Sequence, residues 1–194
     1  SGKVTIDGEY APDGTKVRFR IPQSSEMDNS ALFSDEAYEP SWSPDGTQIT
    51  FRAGPIGNYD IYVMDADGSN QTNITSNDAL AYEPSWSPDG TKIAFQSRRD
   101  GNYKIYVMNA DGSNPTRITS NDAYDDHSAW SPDGTKIAFT SVRDGNNGIY
   151  VMDADGGNPT RNNSNDADWD YLPSWSPDGT KIAFSSDRDG NDEI

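Results

Sequence analysis

The chain has 194 residues, enough for one domain or one compact array of repeats. Asp and Glu number 32 against 15 Lys and Arg, a formal charge of −17, which argues against nucleic acid because phosphates are held by Lys and Arg. There is no Cys, so disulfides and thiolate metal sites are excluded, and no apolar run is long enough to span a bilayer.

Membrane insertion is therefore not expected, and no signal peptide is seen in the sequence. Apolar residues reach only 32%, yet aromatic residues reach 11%, too many for a disordered tail. A cationic partner or weakly held divalent cations would suit the acidic surface.

In chain order, the first recognisable stretch is "APDGTKVRF" at residues 11–19, with Tyr10 ahead of it. A fuller form follows as "SWSPDGTQITF" at 41–51, "SWSPDGTKIAF" at 85–95, "AWSPDGTKIAF" at 129–139 and "SWSPDGTKIAF" at 174–184. Trp42, Trp86, Trp130 and Trp175 are spaced by 44, 44 and 45 residues. Residues 76–119 and 120–163 align without gaps and agree at 30 of 44 positions, so the unit is a duplicated one.

Within the unit, Asp-Gly pairs fall every eleven residues, at 89–90, 100–101 and 111–112, and again at 133–134, 144–145 and 155–156. Each sits between β-rich runs such as "TKIAF" and "KIYVM", a hairpin signal because Gly takes φ > 0 without steric cost. Gly and Pro at that frequency exclude a coiled coil. The spacing predicts four strands per unit, around "EPSWS", "TKIAFQS", "YKIYVMN" and "PTRITS", with "SNDALAY" carrying the chain to the next sheet. Ile93 and Phe95 should face one side of the sheet. Ala94 should face the other, where a small residue lets the neighbouring sheet approach.

Four short strands in a period of ~40–45 residues describe a β-propeller blade. The expected fold is all-β: a β-propeller of four-stranded antiparallel blades, about five per chain, with incomplete first and last blades. The boundaries fall at 1–37 (a degenerate first blade), 38–81, 82–125, 126–170 and 171–194 (a truncated fifth). Asp13 to Asp45 spans 32 residues instead of 44, so the first blade is short by one strand. Residues 22–37 would replace that strand with a loop and a strand near Ala31–Phe33.

The pattern "WSPDGTKIAF", "RDGN", "IYVM", "ADG", "NPTRIT" resembles the TolB-like propeller repeat over residues ~38–194. It also resembles the propellers attached to prolyl-oligopeptidase-type peptidases. The resemblance implies an exported, periplasmic or extracellular bacterial protein and a non-enzymatic scaffold or interaction module. The fold hosts many functions, so two alternatives stand beside that reading. One is a propeller fragment of a larger exported hydrolase or lyase. The other is an engineered or recently duplicated array with no ligand of its own.

Catalytic chemistry finds few candidates. His127 is the only His, aligns with Glu39 and Glu83 just before the Trp, and reads as a surface or inter-blade residue. Some TolB-like lyases use several His on a metal, which one His cannot supply. "SWSPDG" lacks the G-x-S-x-G elbow, and "DADGSN" at 65–70 lacks the Gly and Glu spacing of a calcium loop. No catalytic residue, no cofactor and at most weak calcium binding are expected.

Binding is expected at an acidic rim of inter-blade loops. The ligand-binding candidates are Glu39, Glu83 and His127, then Asp78, Asp122 and Asp166 of the repeated "SNDA", and Trp169. Such a rim suits a protein or peptide, a sugar or a cation. The Asn and Asp of "SNDA" also cap turns by bonding backbone. The ends of the array need pairing, either in a monomeric five-bladed ring or in a homodimer.

Overall fold

In a computed structural model, residues 37–75, 79–163 and 169–194 are described. They form strands and no helix. The first sheet comprises β1 (Tyr38–Trp42), β2 (Gln48–Ala53), β3 (Asp60–Asp65) and β4 (Thr72–Asn73). The second comprises β5 (Ala81–Trp86), β6 (Lys92–Ser97), β7 (Lys104–Asn109) and β8 (Thr116–Arg117). The third comprises β9 (Asp125–Trp130), β10 (Lys136–Ser141), β11 (Gly148–Asp153) and β12 (Thr160–Arg161). The last holds β13 (Asp170–Trp175) and β14 (Ile182–Ser186), extended by a single bridge between Ser186 and Glu193.

Each four-stranded sheet is an antiparallel meander in chain order, as the eleven-residue spacing predicts. The outer strands are shorter than the sequence suggests, two residues each. The predicted degenerate first blade lies outside the described residues except for Ala37. The first strands of successive sheets pack on one another, β1 on β5, β5 on β9 and β9 on β13, so they line the inside of the array.

The "SPDG" turn is held by its own side chains. Gly90 N–H donates to the Ser87 carbonyl at 2.9 Å, closing the turn with Gly90 at φ +70. The Ser87 hydroxyl donates to Asp89 Oδ1 at 2.6 Å, and the Thr91 amide donates to the same oxygen at 3.0 Å. Lys92 N–H then donates to Ser87 Oγ at 3.0 Å and starts β6. The same bonds recur around Asp45, Asp133 and Asp178. In the last two, the serine hydroxyl and the threonine amide and hydroxyl hold the carboxyl down to about 2.

The core lies between sheets. Ile93 and Phe95, fully buried, cluster with Ile61 and Val63 of the preceding sheet. Ala94, on the opposite face, clusters with Ile137 and Phe139 of the following one. Each such Ile or Phe stabilises by roughly 1.5–3 kcal/mol relative to exposure. Gly156, at φ +92, meets the preceding sheet so closely that an added Cβ would lie 2.3 Å from the Ile118 carbonyl oxygen. A glycine is required there on both counts.

The repeated Trp closes each junction. Trp130 Nε1–H donates to the Ser85 carbonyl at 3.2 Å, and Trp175 Nε1–H donates to the Ala129 carbonyl at 3.1 Å. Trp86 is 7% exposed, whereas Trp42 at the start of the described array is 53% exposed. Trp86→Ala should therefore cost ~3–5 kcal/mol in urea unfolding, and Trp42→Ala less than ~1 kcal/mol. Equal losses would show that the two rings share one environment.

Candidate functional site at the inner strands and upper rim

Each inner strand carries a bulge at one repeated position. Glu39, Glu83, His127 and Leu172 have φ of 55, 53, 49 and 55, and the register with the next strand shifts across each of them. A left-handed non-glycine residue is costly, so something must hold it. At Glu83 and His127 the preceding sheet does so. Glu39 Oε2 accepts from Glu83 N–H at 2.8 Å, and Glu83 Oε2 accepts from His127 N–H at 2.9 Å.

The three inner-strand residues picked out by sequence thus form one ladder across three sheets. Arg52 Nη1 lies 3.3 Å from Glu39 Oε1, and His127 Nε2 lies 3.0 Å from Glu83 Oε1. His127 Nδ1 lies 2.9 Å from Asp126 Oδ1. Burial opposes protonation of His127, but the hydrogen bonds and charges of Asp126 and Glu83 outweigh it and push its pKa up to about 10. Burial raises the Glu39 carboxyl above its usual value, against the Glu83 amide and Arg52, which lower it.

The other predicted residues lie apart from this ladder. Asp122 is exposed on the rim at which the inner strands begin, here the upper rim. Its backbone carbonyl accepts from Asn102 Nδ2 at 2.6 Å. In the same loop Asn121 Oδ1 accepts from Ala123 N–H at 2.7 Å, a turn-capping bond made by the Asn of "SNDA". Trp169 is on the same rim and 61% exposed. Asp78 and Asp166 lie outside the described residues. Among the described residues no three His, Asp or Glu converge as metal donors.

Two arrangements escaped the sequence reading. The first is a row of tyrosines along the upper rim: Tyr59 contacts Tyr82 at 5.7 Å, Tyr82 contacts Tyr103 at 5.7 Å, and Tyr103 contacts Tyr124 at 6.1 Å between centroids. Arg52 sits among the rings of Tyr38, Tyr59 and Tyr82 at 4.8, 4.6 and 4.9 Å. Burial, followed by the Tyr103 hydroxyl, pushes the Tyr82 pKa up to about 12. The available signals were the 44-residue repeat of "GNY", which carries Tyr59 and Tyr103, and that of "AYEP", which carries Tyr38 and Tyr82.

The second is a buried charge cluster. Asp125 is fully buried; its Oδ1 accepts from Arg143 at 3.1 Å, and its Oδ2 accepts from Asn121 at 2.7 Å and lies 3.5 Å from Lys104 Nζ. Lys104 is 1% exposed and also donates to the Ala123 carbonyl. Burial lowers its pKa, partly offset by Asp125. This cluster ties the upper ends of two sheets together, with its carboxylate and its ammonium closed to solvent. A lone Lys inside the apolar run "YKIYVM" was its only sequence signal.

The geometry describes a partial propeller. The TolB beta propeller domain family matches residues 9–128 and 126–194, and the chain belongs to that family. Among solved structures, a putative TolB from Agrobacterium tumefaciens is 32% identical with a TM-score of 0.64, covering 76% of this chain and 58% of that one. TolB from Acinetobacter baumannii is 28% identical with a TM-score of 0.65, covering 76% of this chain and 37% of that one. An oligogalacturonate lyase in complex with manganese is 22% identical with a TM-score of 0.64 over 81% of this chain and 47% of that one, a likeness of fold. This chain therefore spans little more than half the length of the first of these and less of the others. No curated protein matches it.

The His127 environment sets a pH dependence. Its folded pKa of about 10 exceeds the ordinary 6.5, so its stabilising contribution is complete below about pH 6.5 and is lost as pH rises toward 10. The difference in unfolding free energy between wild type and His127→Gln should shrink over that window, from about 1–3 kcal/mol. The imidazole carbon resonances should stay those of imidazolium at pH 8, and a titration near 6.5 would contradict the ladder.

Proposed function

We propose that this chain is a non-enzymatic propeller module that binds a protein or peptide at its acidic upper rim. The observation that carries the reading is the exposed aromatic pair Tyr124 and Trp169, 50% and 61% exposed, on loops held by rigid sheets and set among Asp122, Asp126 and Asp187. Glu39, Glu83 and His127 support the rim from within. Their hydrogen-bonding capacity is largely spent on each other, which leaves no general base poised for substrate. Blades at 38–81, 82–125, 126–170 and 171–194 after a first at 1–37 give the frame. Calcium binding stays weak and nucleic acid is repelled by the charge of −17. Kinship with TolB proteins supports a periplasmic or extracellular setting in bacteria.

The propeller of a longer exported enzyme is a second reading, favoured by structural likeness to the oligogalacturonate lyase over 47% of its length. The agreement of 30 of 44 positions between two units also supports recent duplication or engineering. Activity decides between module and enzyme. The purified chain should neither cleave oligogalacturonate nor hydrolyse peptide anilides above background, and turnover abolished by His127→Ala would overturn the module reading.

The last described sheet bears on assembly. Ala183 is exposed, whereas its counterparts Ala94 and Ala138 are fully buried under the next sheet. A second copy of the chain is a partner for that face. Light scattering should then give about twice 21.2 kDa, and a mass of 21.2 kDa at every concentration would refute the dimer.

A further inference from the structure

We propose that the upper rim around Tyr103, Tyr124 and Trp169 binds the guanidinium groups of an arginine-bearing peptide. This rests on the interaction reading above and names the chemistry that the rim selects.

The protein supplies its own template for the contact. Arg52 lies among three tyrosine rings at 4.6 to 4.9 Å with Glu39 3.3 Å away, and Arg98 lies over Tyr103 at 5.1 Å. Arg99, Arg143 and Arg188 lie over Tyr106, Tyr150 and Phe184 at 4.6, 4.5 and 5.5 Å. A planar guanidinium on an aromatic face is therefore a recurring contact of this frame, and for Arg52, Arg143 and Arg188 a carboxylate of Glu39, Asp125 and Asp170 lies at its edge. Guanidinium suits that contact better than ammonium, since it is planar and weakly hydrated.

Along the upper rim the cations and acids are unevenly placed. The first and second sheets supply Arg52 and Arg98 to their tyrosines. In the third sheet Thr140 stands at the repeat position of Arg52 and Val142 at that of Arg98, and Asp126 replaces Tyr82. Tyr124 leans on Tyr103 and is half exposed. Trp169 holds the same position before β13 that Tyr124 holds before β9. Their carbonyls accept from Asp187 N–H and Val142 N–H respectively. Among the described residues no guanidinium lies over either ring.

Carboxylates border these open rings. Asp122 is exposed in the Tyr124 loop, Asp126 is the second residue of the inner strand beside it and pairs through Oδ1 with His127, and Asp187 Oδ1 accepts from Trp169 N–H at 2.7 Å. A positively charged, planar side chain meets both needs at once, an aromatic face below and a carboxylate at the edge. A neutral saccharide would stack on the rings but leave the charge unmatched. The overall charge of −17 would in addition speed the approach of a basic peptide at low salt.

The test is nuclear magnetic resonance titration with hexa-arginine amide, and separately with hexalysine amide, at about 50 mM salt. The arginine peptide should shift the Trp169 indole N–H and the Tyr124 amide saturably, leaving the "SPDG" turns unmoved. Hexalysine should bind about three- to fivefold more weakly. Trp169→Ala and Tyr124→Ala, both at exposed rings, should each weaken hexa-arginine by a similar factor and leave hexalysine almost unchanged. Equal binding of the two peptides, insensitive to both substitutions, would overturn guanidinium recognition while leaving an acidic interaction rim intact. Shifts spread without saturation, or no binding of either peptide, would overturn both readings.

Discussion

Everything in the array depends on one packing contact, the face of one sheet bearing Ile and Phe against a face of the sheet before it that carries a small residue at its centre. Ile137 and Phe139 are fully buried where Ala94 leaves room for them, and Ile93 and Phe95 pack in the same way on the first sheet, where the buried Thr50 stands in the alanine position. A larger side chain at Ala94 would push the sheets apart and strip burial from the whole interface. The turn glycines obey the same limit at the outer side, where Gly112 and Gly156 approach the carbonyls of Ile74 and Ile118. The interior is thus a set of interfaces between thin sheets, and a sheet alone has no core to fold around.

Polar bonds then fix the orientation that apolar packing leaves loose. At the junctions of the second sheet with the third and of the third with the last, an indole N–H reaches a backbone carbonyl of the neighbouring sheet, whereas the buried Trp86 holds the first junction by packing alone. At the inner strand a carboxylate takes the amide of the next bulge. Asp125, held by Arg143, Lys104 and Asn121, adds a buried charge cluster at the junction between the second and third sheets. Removing one partner of such a cluster would strand the others without solvent, which makes it a determinant of alignment more than a source of net stability. Tyr124 and Trp169, each just ahead of an inner strand, are tied to this frame by Val142 N–H and Asp187 N–H, which donate to their carbonyls.

The sheets were legible from sequence because turn chemistry repeats every eleven residues and the strands between the turns are β-rich. The faces were legible too, since strict alternation in "KIAF" puts Ile and Phe on one side and Ala on the other. The bulge at Glu39, Glu83 and His127 was not, because Glu has no preference for positive φ and a single His is a weak sign of it. Pro40, Pro84 and Pro173, which follow three of the four bulge residues, were the available clue, since Pro within a strand marks an edge or a bulge. Spacing of 44 correctly aligned Glu39, Glu83 and His127, but only coordinates show that one side chain reaches the next backbone. Periodicity marks Tyr59 and Tyr103, and Tyr38 and Tyr82, as repeated residues, but the meeting of their rings around Arg52 depends on loop geometry, which periodicity does not encode.

The central claim is that neighbouring sheets are locked by indole and carboxylate bonds and unfold as one unit. Native-state hydrogen exchange tests it directly. The indole N–H of Trp130 and Trp175 and the amides of Glu83 and His127 should exchange as slowly as the β6 and β10 amides, through global opening alone. The Trp42 indole, half exposed, should exchange far faster and serves as the internal reference. Exchange of the Trp130 indole or the His127 amide at the Trp42 rate would show that the junctions open independently and would contradict the account.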